Sequence, residues 1–188
     1  MLDAMGVLFQ AADDVDELLV PFIIKNGGET DENIIQSAYI NASLGIITAD
    51  EFWASVKLDS DLEDGYLSGH KLTRGVRELL IIARENSIPV WCLSNDVGRW
   101  SDKLRANLGI ESFLSGSVIS SVAGFRKPDQ RIYEILIELS GYKAEDLYFV
   151  DDRSRNIEAA RSLGIRSIQF TPERGFSQIA EGLITNEF

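Results

Sequence analysis

The 188-residue sequence has little cysteine, little positive charge and no long hydrophobic run. A single cysteine, Cys92, excludes an internal disulfide bond, which is typical of a reducing compartment. Eighteen Lys and Arg against 30 Asp and Glu give a formal net charge of −12, which argues against binding to nucleic-acid phosphates or anionic membranes. No apolar run approaches the ~20 residues of a membrane span. We therefore predict a cytoplasmic protein that binds neither nucleic acid nor membranes.

The sequence does contain an alternation of short apolar strands and helices. Hydrophobic residues make up 45% of the chain, which is enough for a sizeable core. We predict strands at residues 88–93, 113–119, 147–150 and 166–170, and helices at residues 74–85, 97–108, 129–139 and 154–163. Gly109, Gly141 and Gly164 follow three of these helices, as C-terminal caps commonly do. Apolar strands that alternate with helices indicate an α/β fold with a parallel sheet covered on both faces.

Residues 13–71 have a different pattern, which is helical and contains no clear strand. Gly27-Gly28 interrupts this pattern, and the polar stretch Asp59–Gly69 is predicted to be a loop. Only Met1 and Leu2 precede the first polar residue, fewer than the roughly five or six residues of a usual strand. The sequence therefore predicts a helical insertion after a first strand that is either very short or only partly contained in the given sequence.

Polar side chains that suit phosphoryl transfer follow the predicted strands. Asp3 lies near the N-terminus, Ser94 follows the second predicted strand, Lys127 opens a helix, and Asp151-Asp152 follow a strongly apolar strand. In parallel α/β sheets the working residues lie just past the carboxyl ends of the strands, so these side chains are expected to converge. Together they offer a nucleophile, a hydroxyl donor, a cation for a phosphate and oxygen ligands for Mg²⁺.

In order and spacing these four sites resemble the motifs of the haloacid dehalogenase-like (HAD) superfamily, and the resemblance spans the whole chain. Its specific features are Gly6-Val7-Leu8-Phe9 after Asp3, Lys127-Pro128-Asp129, and Asp151-Asp152 ahead of Asn156-Ile157-Glu158-Ala159-Ala160. The resemblance implies a Rossmann-like three-layer core formed by residues 1–12 and 72–188, with a small α-helical cap at residues 13–71. It also implies a hydrolase, most simply a phosphatase or phosphotransferase that acts on a small phosphorylated metabolite.

The resemblance implies a role for each of these side chains. Asp3 is the expected nucleophile and would carry an aspartyl phosphate during turnover. Ser94 and Asn95 would bind the transferred group, and Lys127 would neutralise its charge and orient Asp3. Mg²⁺ is the expected cofactor, and its ligands would be Asp3, the backbone carbonyl of Met5, Asp151 and Asp152.

Met5 departs from the family pattern, which has a second Asp at this position that protonates the leaving oxygen and then activates water. A thioether cannot exchange protons, and the loss of a general acid/base costs on the order of 10²–10⁴ in rate. Turnover is therefore expected to be slow unless the cap supplies a proton relay. Asp13, Tyr66 and His70 are candidates for that relay, although His70 by itself is expected to be an exposed loop residue.

Other functions stay open at this point. A 2-haloacid dehalogenase has Asp-Ala-Tyr-Gly as its first motif, close to residues 3–6 here, and a halide leaves without a proton. Those enzymes use no metal and have a Ser-Ser-Asn type of fourth motif, so the Asp151-Asp152 pair ranks this activity lower. A phosphonate hydrolase is a lesser variant, and a catalytically impaired protein that binds a phosphorylated ligand or a partner is a further alternative. The sequence specifies neither the substrate nor the oligomeric state.

Overall fold

The structure, a computed structural model, describes residues 1–173 and 175–185. Its strands are β1 (Trp91–Ser94), β2 (Gly116–Ile119), β3 (Tyr148–Asp151) and β4 (Arg166–Gln169). Its α-helices are α1 (Val20–Lys25), α2 (Glu32–Ser43), α3 (Ala49–Ser55), α4 (Glu63–Leu67), α5 (Val76–Glu85), α6 (Gly98–Asn107), α7 (Ser120–Ala123), α8 (Gln130–Ser140), α9 (Ser154–Ser162) and α10 (Ser177–Thr185).

Leu2 lies at the centre of the sheet. Strand β1 pairs with β2 and strand β3 pairs with β4, in both cases in parallel. Leu2 lies between these two pairs and bridges Cys92 on one side and Val150 on the other, again in parallel. Its N–H donates to the carbonyl oxygen of Trp91 at 2.8 Å. The parallel order is therefore β2, β1, Leu2, β3, β4.

Alternation along the strands sends neighbouring side chains into opposite layers. Leu93 and Phe149 pack on one face with residues of α8 and α9, whereas Cys92 and Val150 pack on the other face with residues of α5 and α6. Successive side chains of a strand point to opposite faces, so both faces of the sheet are buried. The prediction of a three-layer α/β core is confirmed. The predicted strands and helices appear with their ends shifted by a few residues.

The regular structure within residues 15–67 is helical, and no strand occurs within this described part of the chain. The segment starts with a π-helical turn, Val15–Leu19, which runs directly into α1. The prediction of a loop at Asp59–Gly69 is wrong, because Ser60–Leu62 forms a 3₁₀ turn and α4 follows it. The polar composition of the stretch suggested a loop. One of its charged residues, Glu63, is in fact buried, and the partners of its carboxylate cannot be recognised from a local sequence pattern.

Glu63 connects the helical segment to the core. The residue is 2% exposed, and its Oε2 accepts hydrogen bonds from the indole N–H groups of Trp53 at 3.2 Å and Trp100 at 2.6 Å. Arg99 and Lys103 of α6 form ion pairs with the same carboxylate at 2.6 and 2.9 Å. A buried charge is tolerated only when it is paired and hydrogen-bonded, and here α6 supplies most of those partners.

The helical segment begins and ends at adjacent backbone stretches. The N–H of Gln10 donates to the carbonyl of Lys71 at 2.9 Å, and the N–H of Thr73 donates to the carbonyl of Leu8 at 2.9 Å. The boundaries of core and cap at residues 12/13 and 71/72 stay a prediction. Among the described residues, no helix has the length and apolar character needed to cross a membrane.

Candidate active site

Asp3 directly follows Leu2 at the centre of the sheet and begins a tight loop. The side chain is buried, and its Oδ1 accepts a hydrogen bond from the N–H of Ala4 at 2.6 Å. The loop closes when the N–H of Phe9 donates to the carbonyl of Ala4 at 2.8 Å. Gly6 within the loop has φ +78°, in the left-handed region that glycine adopts without steric cost. The glycine of the first motif therefore shapes the loop that carries Asp3.

Lys127 joins the four predicted motifs. Its Nζ lies 2.6 Å from Asp3 Oδ1 and 2.9 Å from Asp151 Oδ2, and it donates to the carbonyl of Leu93 at 2.9 Å. The residue is 3% exposed, so these contacts form in a site screened from bulk water. Asn95 holds the Lys127 backbone, because its Oδ1 accepts from the Lys127 N–H at 2.7 Å and its Nδ2 donates to the Lys127 carbonyl at 2.9 Å.

Asp151 is held by the residues that follow it. Its Oδ1 accepts from the N–H of Arg153 at 2.8 Å, and the amide of Asn156 donates to both carboxylate oxygens at 3.0 Å. Asn156 is itself buried, and its backbone carbonyl accepts a hydrogen bond from the Tyr133 hydroxyl at 3.0 Å. The start of α9 thus fixes the orientation of the carboxylate at the end of β3.

Burial and charge act together on the acidic groups of the site. Burial raises the pKa of Asp3 well above its usual value, with Lys127 opposing the shift and Asp151 adding to it. For Asp151 burial is again the largest effect and acts in the same direction, but the Lys127 charge and the hydrogen bonds to Asp3, Lys127 and the Arg153 N–H together outweigh it, so the pKa is lowered. Burial and the charge of Asp151 raise the pKa of Asp152. The site therefore concentrates negative charge that one lysine only partly balances.

The three carboxylates form a set that fits a divalent cation. One oxygen from each of Asp3, Asp151 and Asp152 lies within 4.8 Å of the others. The buried Oδ1 of Asp152 has no hydrogen-bond partner among the described residues. Carboxylate oxygens are the ligands that Mg²⁺ prefers, and a cation would remove the repulsion between these groups. The residues present therefore suit Mg²⁺.

A cavity of about 210 Å³ opens beside this carboxylate group. Asp3, Met5, Ser94, Asn95 and Lys127 all contribute to its wall. The Ser94 Oγ is buried and has no hydrogen-bond partner within residues 1–173 and 175–185. A hydroxyl without a partner, in the same cavity wall as Lys127, can donate to an anionic oxygen in the cavity.

The sequence profile of the haloacid dehalogenase-like hydrolases matches residues 14–164, most of the chain. The chain belongs to the haloacid dehalogenase-like hydrolase family. Flavin mononucleotide hydrolase 1 of Arabidopsis thaliana is 27% identical over 138 residues, which are 70% of this chain and 56% of that protein. Phosphoglycolate phosphatase of Pectobacterium atrosepticum is 26% identical over 114 residues, 61% of this chain and 49% of that protein. The chain thus spans about half the length of these curated relatives.

Solved structures of HAD enzymes share the fold. A HAD family enzyme of Bacteroides thetaiotaomicron, in complex with magnesium and inorganic phosphate, superposes with a TM-score of 0.81 at 21% identity. The match covers 95% of this chain and 96% of that one. At this identity the likeness establishes the α/β architecture of this HAD-like hydrolase.

Sequence reasoning missed several residues of this HAD-like hydrolase's cavity. Asp14 lies in its wall and is 4% exposed, whereas the sequence drew attention to Asp13. The expectation that His70 is exposed is wrong, because the residue is 4% exposed and packs against Tyr66 with ring centroids 5.1 Å apart. Both aspartates line the cavity, but only the packing at the start of the helical segment decides which of them is buried. Further cavity-lining residues are Gln36, Tyr39, Arg126, Arg153 and Arg155.

Proposed function

We propose that the protein is a Mg²⁺-dependent phosphohydrolase or phosphotransferase that acts on a small phosphorylated metabolite. The observation that carries this proposal is the convergence of three carboxylates within 4.8 Å of one another, with the Lys127 ammonium 2.6 Å from Asp3. A dehalogenase that works without a metal would leave these buried acids to repel one another. Mg²⁺ with a phosphoryl group is the simplest ligand set that uses all of them.

In this proposal Asp3 is the nucleophile and forms an aspartyl phosphate. Ser94 and Lys127 bind the phosphoryl oxygens, and Asn95 positions Lys127 by holding its backbone at both N–H and carbonyl. Asp3, Asp151, Asp152 and the backbone carbonyl of Met5 would hold Mg²⁺, which neutralises charge that develops on the transferred group. Catalysis of phosphoryl transfer rests mainly on positioning and on such charge neutralisation.

The relatives support this choice of reaction. Curated proteins that match most of this chain are named as a flavin mononucleotide hydrolase and a phosphoglycolate phosphatase. The structural neighbour with a TM-score of 0.81 was solved with magnesium and inorganic phosphate. We propose further that residues 13–71 act as a substrate-selecting cap and that the protein works in the cytoplasm. The helical segment supplies Asp13, Asp14, Gln36 and Tyr39 to the cavity wall, which supports the first of these.

Hydrolysis of p-nitrophenyl phosphate tests the proposed reaction. We expect p-nitrophenol release that needs Mg²⁺ and stops when EDTA removes the metal, because the acids of the site then repel the anionic substrate. This leaving group departs with little need of protonation, so the test does not depend on the residue that replaces the usual acid. Release of chloride from 2-chloropropionate without metal would instead identify a dehalogenase. Binding of inorganic phosphate with neither activity would identify a binding protein.

Gly6→Ala should weaken activation by Mg²⁺. A Cβ at this position would lie 2.5 Å from Asp152 Oδ2, so the Asp152 carboxylate must move away from the other proposed Mg²⁺ ligands. We expect the Mg²⁺ concentration for half-maximal activity to rise several-fold, together with a stability loss of about 1–2 kcal/mol from the left-handed backbone. A titration of activity with Mg²⁺ measures this effect.

Gly124→Ala is the matched control for this substitution. Gly124 has φ +75°, close to the +78° of Gly6, but nothing lies within 4 Å of a Cβ built there. The control should lose similar stability and keep the Mg²⁺ dependence of the wild type. Equal Mg²⁺ dependence in both variants would mean that Asp152 does not take part in metal binding.

A further inference from the structure

Asp14 presents a second carboxyl group to the cavity that contains Asp3. It lies at the start of the helical segment and is 4% exposed, so bulk water does not screen it. The neighbouring Asp13 differs, since its side chain is 50% exposed and forms an ion pair with Arg153 at 3.3 Å. Of the two aspartates, Asp14 is therefore the one placed in a protected environment next to the reaction site.

Two buried side chains hold the Asp14 carboxylate. The Tyr66 hydroxyl donates to Asp14 Oδ2 at 3.0 Å, and His70 Nε2 lies 3.9 Å from the same oxygen. Tyr66 is 2% exposed and His70 is 4% exposed. The sequence suggested Tyr66 and His70 as separate candidates for a proton relay. In the structure both of them lie against the same carboxylate oxygen of Asp14.

The hydrogen bond of His70 Nδ1 directs the other ring nitrogen towards Asp14. His70 Nδ1 lies 3.2 Å from the carbonyl oxygen of Leu67, and a carbonyl only accepts, so Nδ1 carries the hydrogen. In the neutral ring Nε2 is then a lone pair that faces a carboxylate oxygen. Nε2 has no hydrogen-bond partner among the residues that the structure describes. His70 Nε2 therefore faces the carboxyl group of Asp14, which lines the cavity.

We propose that Asp14 is the general acid and base of this hydrolase, in place of the aspartate that is missing at Met5. The proposal rests on the phosphatase function proposed above. In the first step Asp3 attacks phosphorus, the bond from phosphorus to the leaving oxygen breaks, and Asp14 gives its proton to that oxygen. In the second step water attacks the aspartyl phosphate, Asp14 takes the proton from water, and inorganic phosphate and the Asp3 carboxylate are released. Tyr66 and His70 are positioning residues.

Aryl phosphates of similar shape and different leaving-group basicity test this assignment. For Asp14→Asn we expect kcat/KM to fall about 10²–10³-fold for phenyl phosphate and less than about 10-fold for p-nitrophenyl phosphate. With p-nitrophenyl phosphate the variant should also show a burst of p-nitrophenol equal to the enzyme concentration, because hydrolysis of the aspartyl phosphate lacks its base. Asp61→Asn, the same change at an exposed position of the helical segment that does not line the cavity, should match the wild type.

Two further variants keep the test decisive. Met5→Asp in the Asp14→Asn background returns a carboxyl group to the same cavity wall and should restore phenyl phosphate hydrolysis at least tenfold. Tyr66→Phe keeps the Asp14 carboxyl and should show a weaker form of the same leaving-group dependence, even if Asp14→Asn does not fold. Equal losses with both aryl esters, or no loss, would overturn the role of Asp14. Absence of any Mg²⁺-dependent aryl phosphatase activity in the wild type would overturn the proposed function itself.

Discussion

Replacing Asp3 by Asn is expected to lower Mg²⁺-dependent phosphatase activity by at least about 10³-fold, a loss of the size seen when a nucleophile is removed. The amide has nearly the shape of the carboxylate but no charged oxygen that can attack phosphorus. Lys127 keeps its second partner, Asp151, at 2.9 Å, so the site should stay assembled. Steady-state hydrolysis of p-nitrophenyl phosphate measures the loss, and mass spectrometry of acid-quenched wild type should find a phosphoryl group on the peptide that contains residue 3.

Thermal unfolding separates a chemical loss in Asp3→Asn from misfolding. Burial raises the pKa of Asp3, which means that the folded state disfavours this carboxylate, so the neutral variant should unfold at the wild-type temperature or above it. Asp64→Asn is the matched control, because its side chain is 74% exposed and is not among the residues that line the cavity. Retention of more than a tenth of the activity in Asp3→Asn would exclude Asp3 as the nucleophile.

Among the variants proposed here, Lys127→Met should lose the most free energy of unfolding. The substitution preserves most of the side-chain volume but leaves Asp3 and Asp151 buried without their cation. Removing one partner of a buried ion pair typically costs about 3–5 kcal/mol, because an uncompensated charge remains. Activity should fall as well, since the same ammonium is proposed to bind the phosphoryl oxygens. Urea unfolding in EDTA measures the stability change.

The dependence on metal distinguishes this effect from a simple packing defect. Mg²⁺ should stabilise Lys127→Met more than it stabilises the wild type, because the cation then supplies the positive charge beside the two carboxylates that the ammonium no longer provides. Lys143→Met is the control, since that side chain is 80% exposed and its contact to Glu145 is long at 3.8 Å. An exposed pair of this kind contributes about 0–1 kcal/mol. Wild-type stability in Lys127→Met would mean that the buried acids are not held by this ammonium.

The α/β core could be predicted because its signals are local. Apolar strands such as Leu147–Val150, and glycines such as Gly141 with φ +73°, mark elements by residue type alone. The loop prediction for Asp59–Gly69 was wrong because the contacts that determine this stretch are not local. Its helix is stabilised by Glu63, whose partners Trp100 and Arg99 are more than 30 residues away in sequence. Partners at that distance leave no trace in a local pattern.

The motif residues of the site could also be predicted, since each lies at a strand end that the sequence marks. The structure places Asp3, Lys127 and Asp151 in direct contact. Asp14 as a site residue and the burial of His70 were not predicted from the sequence. Both depend on burial, which depends on how the helical segment packs against the core. A single histidine in a Ser-Gly-His-Lys stretch is typical of an exposed loop, whereas this one lies under Tyr66 and Phe9.

The position of Leu2 at the centre of the sheet has a consequence for biosynthesis. Its two neighbours, Cys92 and Val150, lie far along the chain, so Leu2 leaves the ribosome long before either of them. Contacts between residues so distant in sequence carry a high loop-closure entropy and form slowly. A nascent chain therefore cannot position Asp3 until the segment that contains Val150 has emerged. The Asp3 carboxylate is thus synthesised well before the residues that complete its surroundings.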